Sequence, residues 1–270
     1  MSAPVTRHRF PVVVARLRSA GCVFAEDEAR LLIAASSTPA ELAKLLDRRA
    51  SGQPLEYVLG WAEFCGRRIA VEPGVFVPRR RTEFLVREAL ALTRPIVARR
   101  RGVVVDLCCG SGAVGAVLVD ALRRVELYAA DIDPVAVRCA RRNLAGPGAA
   151  VFEGDLYAAL PESLRGRVDV LVANAPYVPT EAIGLMPPEA RRYEAWVALD
   201  GGPDGLDVLR RVIAEASTWL AADGSVLVET SEGQAPNLVE AVAGAGLTPR
   251  VASCDELGAT VVVGQRPAVR

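Results

Sequence analysis

From about Arg101 onward the chain alternates between two hydrophobic periods. The runs "GVVVDL", "VELYAADI", "AAVFEGD", "VDVLVANA" and "GSVLVET" are almost continuously apolar, and between them lie "AVGAVLVDALRR", "PVAVRCARRNLAG" and "GLDVLRRVIAEASTWL". Unbroken apolar strands separated by helical stretches predict a mostly parallel sheet covered on both faces. The last two runs, "TPRVASCD" and "ATVVVGQ", are joined by too few residues for a crossover helix and are expected to pair antiparallel.

The first part of the chain reads differently. "EDEARLLIAA" carries charges at its start and an apolar stripe from Ala29 to Ala34. "STPAELAKLLDRRASG" has a capping Ser or Thr, Pro in the first turn and a stop at Gly52. "PLEYVLG" predicts a short helix ended by Gly60, and alternation around Pro73-Gly74 in "RRIAVEPGVFV" predicts a β-hairpin. The expected organisation is a small helical domain over residues 1–60, a hairpin linker over 61–80 and a larger α/β domain over 81–270.

Composition narrows the classes. With 270 residues, 51% of them hydrophobic and 24% charged, the chain can bury a substantial core. Its formal net charge is zero, which lacks the basic excess of a typical nucleic-acid binder. No apolar run is long enough to span a bilayer, and the Arg-interrupted start resembles no secretory signal, so a cytoplasmic protein is expected. Cys22, Cys65, Cys108, Cys109, Cys139 and Cys254 form no CxxC pair and are read as reduced, small apolar residues. His8 is the only histidine and reads as a solvated residue, which argues against a His base or a His-rich metal site.

"VVVDLCCGSGAVG" ends an apolar strand and opens a helix; Gly110, Gly112 and Gly115 spell GxGxxG, with Asp131 or Asp133 following. By pattern alone this is a dinucleotide fingerprint, and a tight strand-to-helix turn would also explain it. Asp106 points elsewhere. It stands at the strand end before the glycines, where it would repel a pyrophosphate and suit a cationic amino group such as that of S-adenosylmethionine (SAM). Asp131, at the next strand tip, would then grip the ribose, and Asp155, after the third strand, would lie near the adenine. Cys108, Ile132 and Leu156 adjoin these carboxylates and are counted with the cofactor site.

"NAPY", residues 174–177, ends the fourth strand at the same edge of the sheet. Pro176 biases Ala175 toward an extended conformation. The Asn174 side-chain oxygen and a neighbouring backbone carbonyl can together accept both hydrogens of a planar –NH2 group, with the Tyr177 ring against its flat face.

With these segments in hand, the chain resembles the HemK family (PrmC-like) of protein-glutamine N5-methyltransferases. The resemblance rests on "RRASGQPLEYVLGWAEFCG", "VFVPRRRTEFLV", "DLCCGSGAVG", "NAPYVP", "EAWVALDGGPDGLDVLRRVI" and "VETSEGQ", in the family's order. It implies a Rossmann-like class I SAM-dependent methyltransferase sheet behind a small helical domain. It also implies SAM as methyl donor, and as acceptor a glutamine amide in a protein, typically the Gly-Gly-Gln motif of peptide release factors. Asp106, Gly110 and Gly112 would then face the methionine part and Asp131 the ribose. Asn174 and Tyr177 would clamp the amide, Phe76, Arg79 and Thr82 would cover cofactor and acceptor, and the N-terminal helices would dock the substrate.

Two positions depart from the family pattern: Ala175 replaces the usual Pro of the clamp, and Arg80 and Arg81 follow Arg79 where Pro and an acidic or polar residue are usual. An adenine-N6 methyltransferase would use the same clamp, although the neutral charge counts against nucleic acid as direct substrate. Asp106 and the clamp argue against a nicotinamide-dependent oxidoreductase, and only Ala175 favours a scaffold without activity.

Overall fold

The computed structural model describes residues 4–268. Four helices open the chain: α1 (Pro4–Ser19), α2 (Ala25–Ala35), α3 (Pro39–Ala50) and α4 (Leu55–Leu59). Thr38 caps α3 by accepting from the Glu41 amide, and the Glu41 carboxylate reaches back to the Thr38 amide. Gly60, at φ 80°, ends α4 in the left-handed conformation. Leu17, Ala25, Leu32, Leu42 and Leu46 pack these helices around an apolar cluster of their own. The backbone of residue 8 belongs to α1, while the side chain of His8 lies outside the described residues.

The hairpin sits earlier than its sequence suggested. Strands β1 (Trp61–Phe64) and β2 (Arg67–Ala70) pair antiparallel, with Phe64 opposite Arg67 across the two-residue turn Cys65–Gly66. Both turn residues have positive φ, 49° and 70°, as a twist-matched two-residue hairpin turn demands. Proline cannot take the first of those positions because its ring fixes φ near −65°, so Pro73-Gly74 turns no hairpin. It belongs instead to an extended strap, residues 71–79, in which Gly74 bridges Glu194. Asn143 pins the end of β2 by donating to the Ala70 carbonyl and accepting from the Ala70 amide.

The main sheet holds β3 (Gly102–Leu107), β4 (Val125–Asp131), β5 (Ala149–Glu153), β6 (Val168–Ala173), β7 (Leu220–Thr230), β8 (Thr248–Cys254) and β9 (Ala259–Gln265), in the spatial order β5-β4-β3-β6-β7-β9-β8. The first five run parallel, and β9 is antiparallel to both β7 and β8, as the two terminal runs predicted. Helices α5 (Glu83–Arg99), α6 (Ala113–Ala121) and α7 (Pro134–Asn143) follow the strap and the first two sheet strands. The short α8 (Pro188–Tyr193) lies in the excursion after β6, and α9 (Asp207–Trp219) and α10 (Ala235–Gly244) flank β7. Phe84, Leu85 and Leu118 cover one sheet face and Leu209, Ile213 and Leu238 the other. Strand order reverses beside β3, where the chain steps to β4 on one side and, later, to β6 on the other. Open α/β sheets bind ligands at the carboxyl end of such a switch point. No described helix is long and apolar enough to cross a membrane.

Candidate active site

Asp106 is the fifth residue of β3 and is only 2% exposed. Its Oδ2 accepts from the Gly115 amide at 3.0 Å. Any side chain at residue 115 would collide with Leu127, 2.6 Å from an added Cβ, and so push the start of α6 off the strand. Burial raises the Asp106 pKa to about 7, with the Gly115 amide pulling against it and Asp131 adding to it. Asp131 ends β4; its Oδ2 accepts from the Gly110 amide at 2.8 Å and its Oδ1 from the Asp133 amide at 2.9 Å. Burial also raises its pKa, against those backbone donors. Asp133 caps α7 through the Val135 amide, and Ile132 stands 53% exposed between the two. Cys108 takes a positive φ of 55°. Burial first, and neighbouring carboxylates next, push the Cys108 and Cys109 thiols up, so both stay protonated.

The other side of the cleft is built from distant segments. The Asn174 Nδ2 donates to Thr82 Oγ1 at 3.2 Å, which leaves the amide oxygen for a donor. The Tyr177 hydroxyl donates to Glu229 Oε1 at 3.1 Å, and the Arg81 guanidinium stands over the Tyr177 ring, 5.6 Å from its centroid. Burial, then Glu229, raise the Tyr177 phenol. Glu229 is itself raised by burial, with Thr82 and Arg81 pulling it down. Arg79 donates twice to the buried Glu194 carboxylate, at 2.6 and 2.7 Å, and the Val77 amide joins them at 3.2 Å. Tyr57 of α4 donates to the Val75 carbonyl, tying the N-terminal helices to the strap.

The "GGPDG" turn braces the clamp from behind. A Cβ on Gly201 would lie 2.7 Å from the Pro176 carbonyl oxygen, and one on Gly205, at φ 80°, would collide with the Tyr177 carbonyl. Gln234 donates to that Tyr177 carbonyl at 3.0 Å.

One cleft gathers Asp106, Cys108, Gly110, Asp131 and Ile132 with Phe76, Arg79, Thr82, Asn174, Ala175, Pro176 and Tyr177. Three expected residues lie outside its lining. Gly112 turns the chain at φ 75° against Ala140 of α7. Asp155 pairs at the surface with Arg211 of α9, 2.6 Å away, and Leu156 is buried in the core on that side of the sheet. Glu194, Glu229 and Arg81 were not singled out as site residues, nor were Met186, Val197 and Leu199, which also line the cleft. The cleft opens into a wider groove that shares Arg79, Arg81, Tyr177, Val178 and Met186 with it. Pro54 and Glu56, at the start of α4, also line that groove, as do Asp204 and Gln234.

The residues fit SAM. The buried Asp106 and half-buried Asp131 carboxylates, both raised by desolvation and unrelieved by any arginine, face a space suited to an ammonium group and a ribose diol, with Ile132 as an apolar platform beside them. No cluster of metal-ligating side chains occurs among the described residues.

A family model for the methyltransferase small domain matches residues 67–186. The T. thermophilus 16S rRNA N2 methyltransferase, solved with AdoMet and guanosine, superposes with a TM-score of 0.54 at 20% identity, over 76% of this chain and 49% of that one. Fold and cleft together define a SAM-dependent methyltransferase. A release factor glutamine methyltransferase of Geobacter sulfurreducens is 37% identical over 233 residues, 84% of this chain and 79% of the relative. The chain belongs to the release factor glutamine methyltransferase family. A Streptomyces pristinaespiralis relative, a 4-amino-L-phenylalanine/4-methylamino-L-phenylalanine methyltransferase, is 38% identical over 188 residues, 67% of this chain and 62% of the relative.

Proposed function

We propose that this chain transfers the methyl of SAM to the side-chain amide nitrogen of a protein glutamine, with a peptide release factor as the protein. The observation that carries the reading is Asn174: its NH2 is spent on Thr82, and its oxygen is left as an acceptor in a cleft that opens into a groove lined also by Pro54 and Glu56. A groove of that kind admits a loop of another protein.

When bound, SAM supplies an electrophilic methyl on a sulfonium. Asp106 holds its amino group and Asp131 its ribose hydroxyls. The Asn174 oxygen and the Ala175 carbonyl accept both N–H bonds of the glutamine amide and stabilise positive charge as it grows on nitrogen. Tyr177 supports the amide face. The strap with Phe76 and Arg79, locked by Glu194, closes the site over both ligands and excludes water. Residues 1–60, joined through 61–80 to the methyltransferase domain at 81–270, dock the substrate protein.

The Streptomyces relative favours a second reading, in which the acceptor is a free aromatic amine, since its planar –NH2 would satisfy the same clamp. A competition assay separates the two. The chain is given methyl-labelled SAM with a release factor, 4-amino-L-phenylalanine and an adenine-containing oligonucleotide together. Label on a release-factor glutamine is expected; label on the aromatic amine or on adenine alone overturns the proposal.

A further inference from the structure

Glu229 lies outside every contact proposed for cofactor or acceptor, yet it is a buried carboxylate at the edge where the reaction takes place. Ala173 of β6 pairs with Val228 of β7, so Asn174 and Glu229 stand level on adjacent strands. Strand alternation puts both on the sheet face that Leu227 and Val172 share with α5. Glu229 is 2% exposed. Its Oε1 accepts from the Tyr177 hydroxyl at 3.1 Å and lies 3.4 Å from Arg81 Nε. Thr82 adjoins the same carboxylate and draws its pKa down, and Thr82 Oγ1 accepts from Asn174 Nδ2, which leaves the Thr82 proton to face Glu229. The other oxygen, Oε2, is buried with no partner among the described residues. An acidic side chain held in this way costs stability, and the backbone of β7 requires no carboxylate here.

The chemistry of hydrogen bonding shows what it contributes. A carboxylate oxygen only accepts, whereas an amide or hydroxyl does both. Facing Glu229, Tyr177 and Thr82 must each donate their one proton. Thr82 then has only lone pairs to offer Asn174, so the Asn174 NH2 must turn toward Thr82 and its oxygen toward the acceptor. We propose that Glu229 is the positioning residue of the clamp: by accepting from Tyr177 and Thr82 it fixes the Tyr177 ring directly and sets the orientation of the Asn174 amide through Thr82. A neutral amide at residue 229 could donate to Thr82, release the Thr82 proton toward Asn174 and let the Asn174 amide turn over, presenting NH2 to NH2.

The proposal rests on the glutamine reading for its kinetic test but not for its spectroscopic one. Glu229→Gln preserves shape, so a purely packing role leaves turnover unchanged. We expect kcat on a release factor to fall about tenfold, the scale of one directing hydrogen bond, with SAM affinity unmoved. Glu229→Ala should cost about a hundredfold, the scale of losing a preorganised partner. In a Thr82→Val background the Glu229→Gln substitution should add little, because the relay is already cut. The acceptor-free readout is the Asn174 side-chain NH2 signal in a 15N-resolved spectrum of the full chain, assigned by its loss in Asn174→Asp. It should move or double in Glu229→Gln and in Thr82→Val. A Glu229→Gln protein with wild-type kcat, or with an unmoved Asn174 signal, overturns the proposal. If the wild-type chain methylates no glutamine, the acceptor reading falls, and the Asn174 signal still decides the role of Glu229.

Discussion

The two halves of the cleft are built by different rules. The cofactor half comes from two short stretches, 106–115 and 131–133, each running from a strand tip into a helix. Its key bonds join carboxylates to backbone amides of the following helix or of a neighbouring turn: Asp106 to Gly115 of α6, Asp131 to Gly110 in the turn after β3 and to Asp133. The acceptor half is assembled from side chains far apart in sequence. Thr82 meets Asn174, Tyr177 meets Glu229, and Arg79 meets Glu194. Backbone partners cannot be mutated away, so the first half is a rigid receptacle that any methyl acceptor could use. The second half depends on a network of side chains, and the proposed reading puts acceptor choice and transfer rate there.

The largest expected effect falls on the acceptor half. Asn174→Ala should lower turnover by roughly 100- to 1000-fold, as loss of a preorganised hydrogen-bond partner does, while SAM affinity hardly changes; steady-state kinetics and calorimetry check the two numbers. In the cofactor half, Asp131→Ala loses a charge-assisted hydrogen bond of about 1.5–3 kcal/mol, so SAM should bind more than tenfold weaker by titration.

The Asp106 carboxyl sharpens the contrast through pH. It must be ionised to hold an ammonium group, and its pKa in the free protein is about 7. SAM affinity should therefore weaken as pH falls below about 7, by up to roughly tenfold per unit for one proton, and Asp106→Asn should bind weakly without that slope. Stability runs the other way. The folded pKa lies above the ordinary 3.8, so the folded state holds more protons between those values and loses stability as pH rises through them. Asp106→Asn without SAM should then melt higher than wild type at pH about 8.

Gly205→Ala places a Cβ at φ 80° against the Tyr177 carbonyl. It should cost about 1–3 kcal/mol of stability, read as a lower melting temperature together with reduced turnover. The smallest effect is expected for Ala175→Pro, which keeps the carbonyl and stiffens the clamp: turnover unchanged or slightly higher.

The same contrast governs what could be read from the chain alone. The sheet, its antiparallel end and the convergence of Asp106, Gly110 and Asp131 on one cleft were legible because apolar runs, glycines and strand-tip aspartates lie close together in sequence. Asp155 looked equivalent to its two predecessors, and nothing local reveals that Arg211 of α9 draws it to the surface. The α5 helix left no start signal: Thr82 stands where a cap would be but is already helical, and its hydroxyl serves Asn174. The hairpin was misplaced because Pro-Gly is a strong turn signal, while the twist of paired strands favoured Cys65–Gly66. Glu229 was within reach. In "GSVLVET" the alternation that buries Leu227 buries residue 229 too, and a carboxylate on that face is as anomalous as Asp106 in "VVVDL". Its partners Tyr177 and Thr82, 52 and 147 residues away, were not.

The separation of the two halves is tested most directly by single-turnover rates at saturating SAM, with a release factor as acceptor, for Asp131→Ala and Asn174→Ala side by side. Saturation compensates a binding defect and leaves an alignment defect untouched. Asp131→Ala is expected to regain nearly the wild-type rate, and Asn174→Ala to stay slow by about two orders of magnitude. If Asn174→Ala recovered at high SAM, or Asp131→Ala did not, the division between a receptacle for the donor and a clamp for the acceptor would be contradicted.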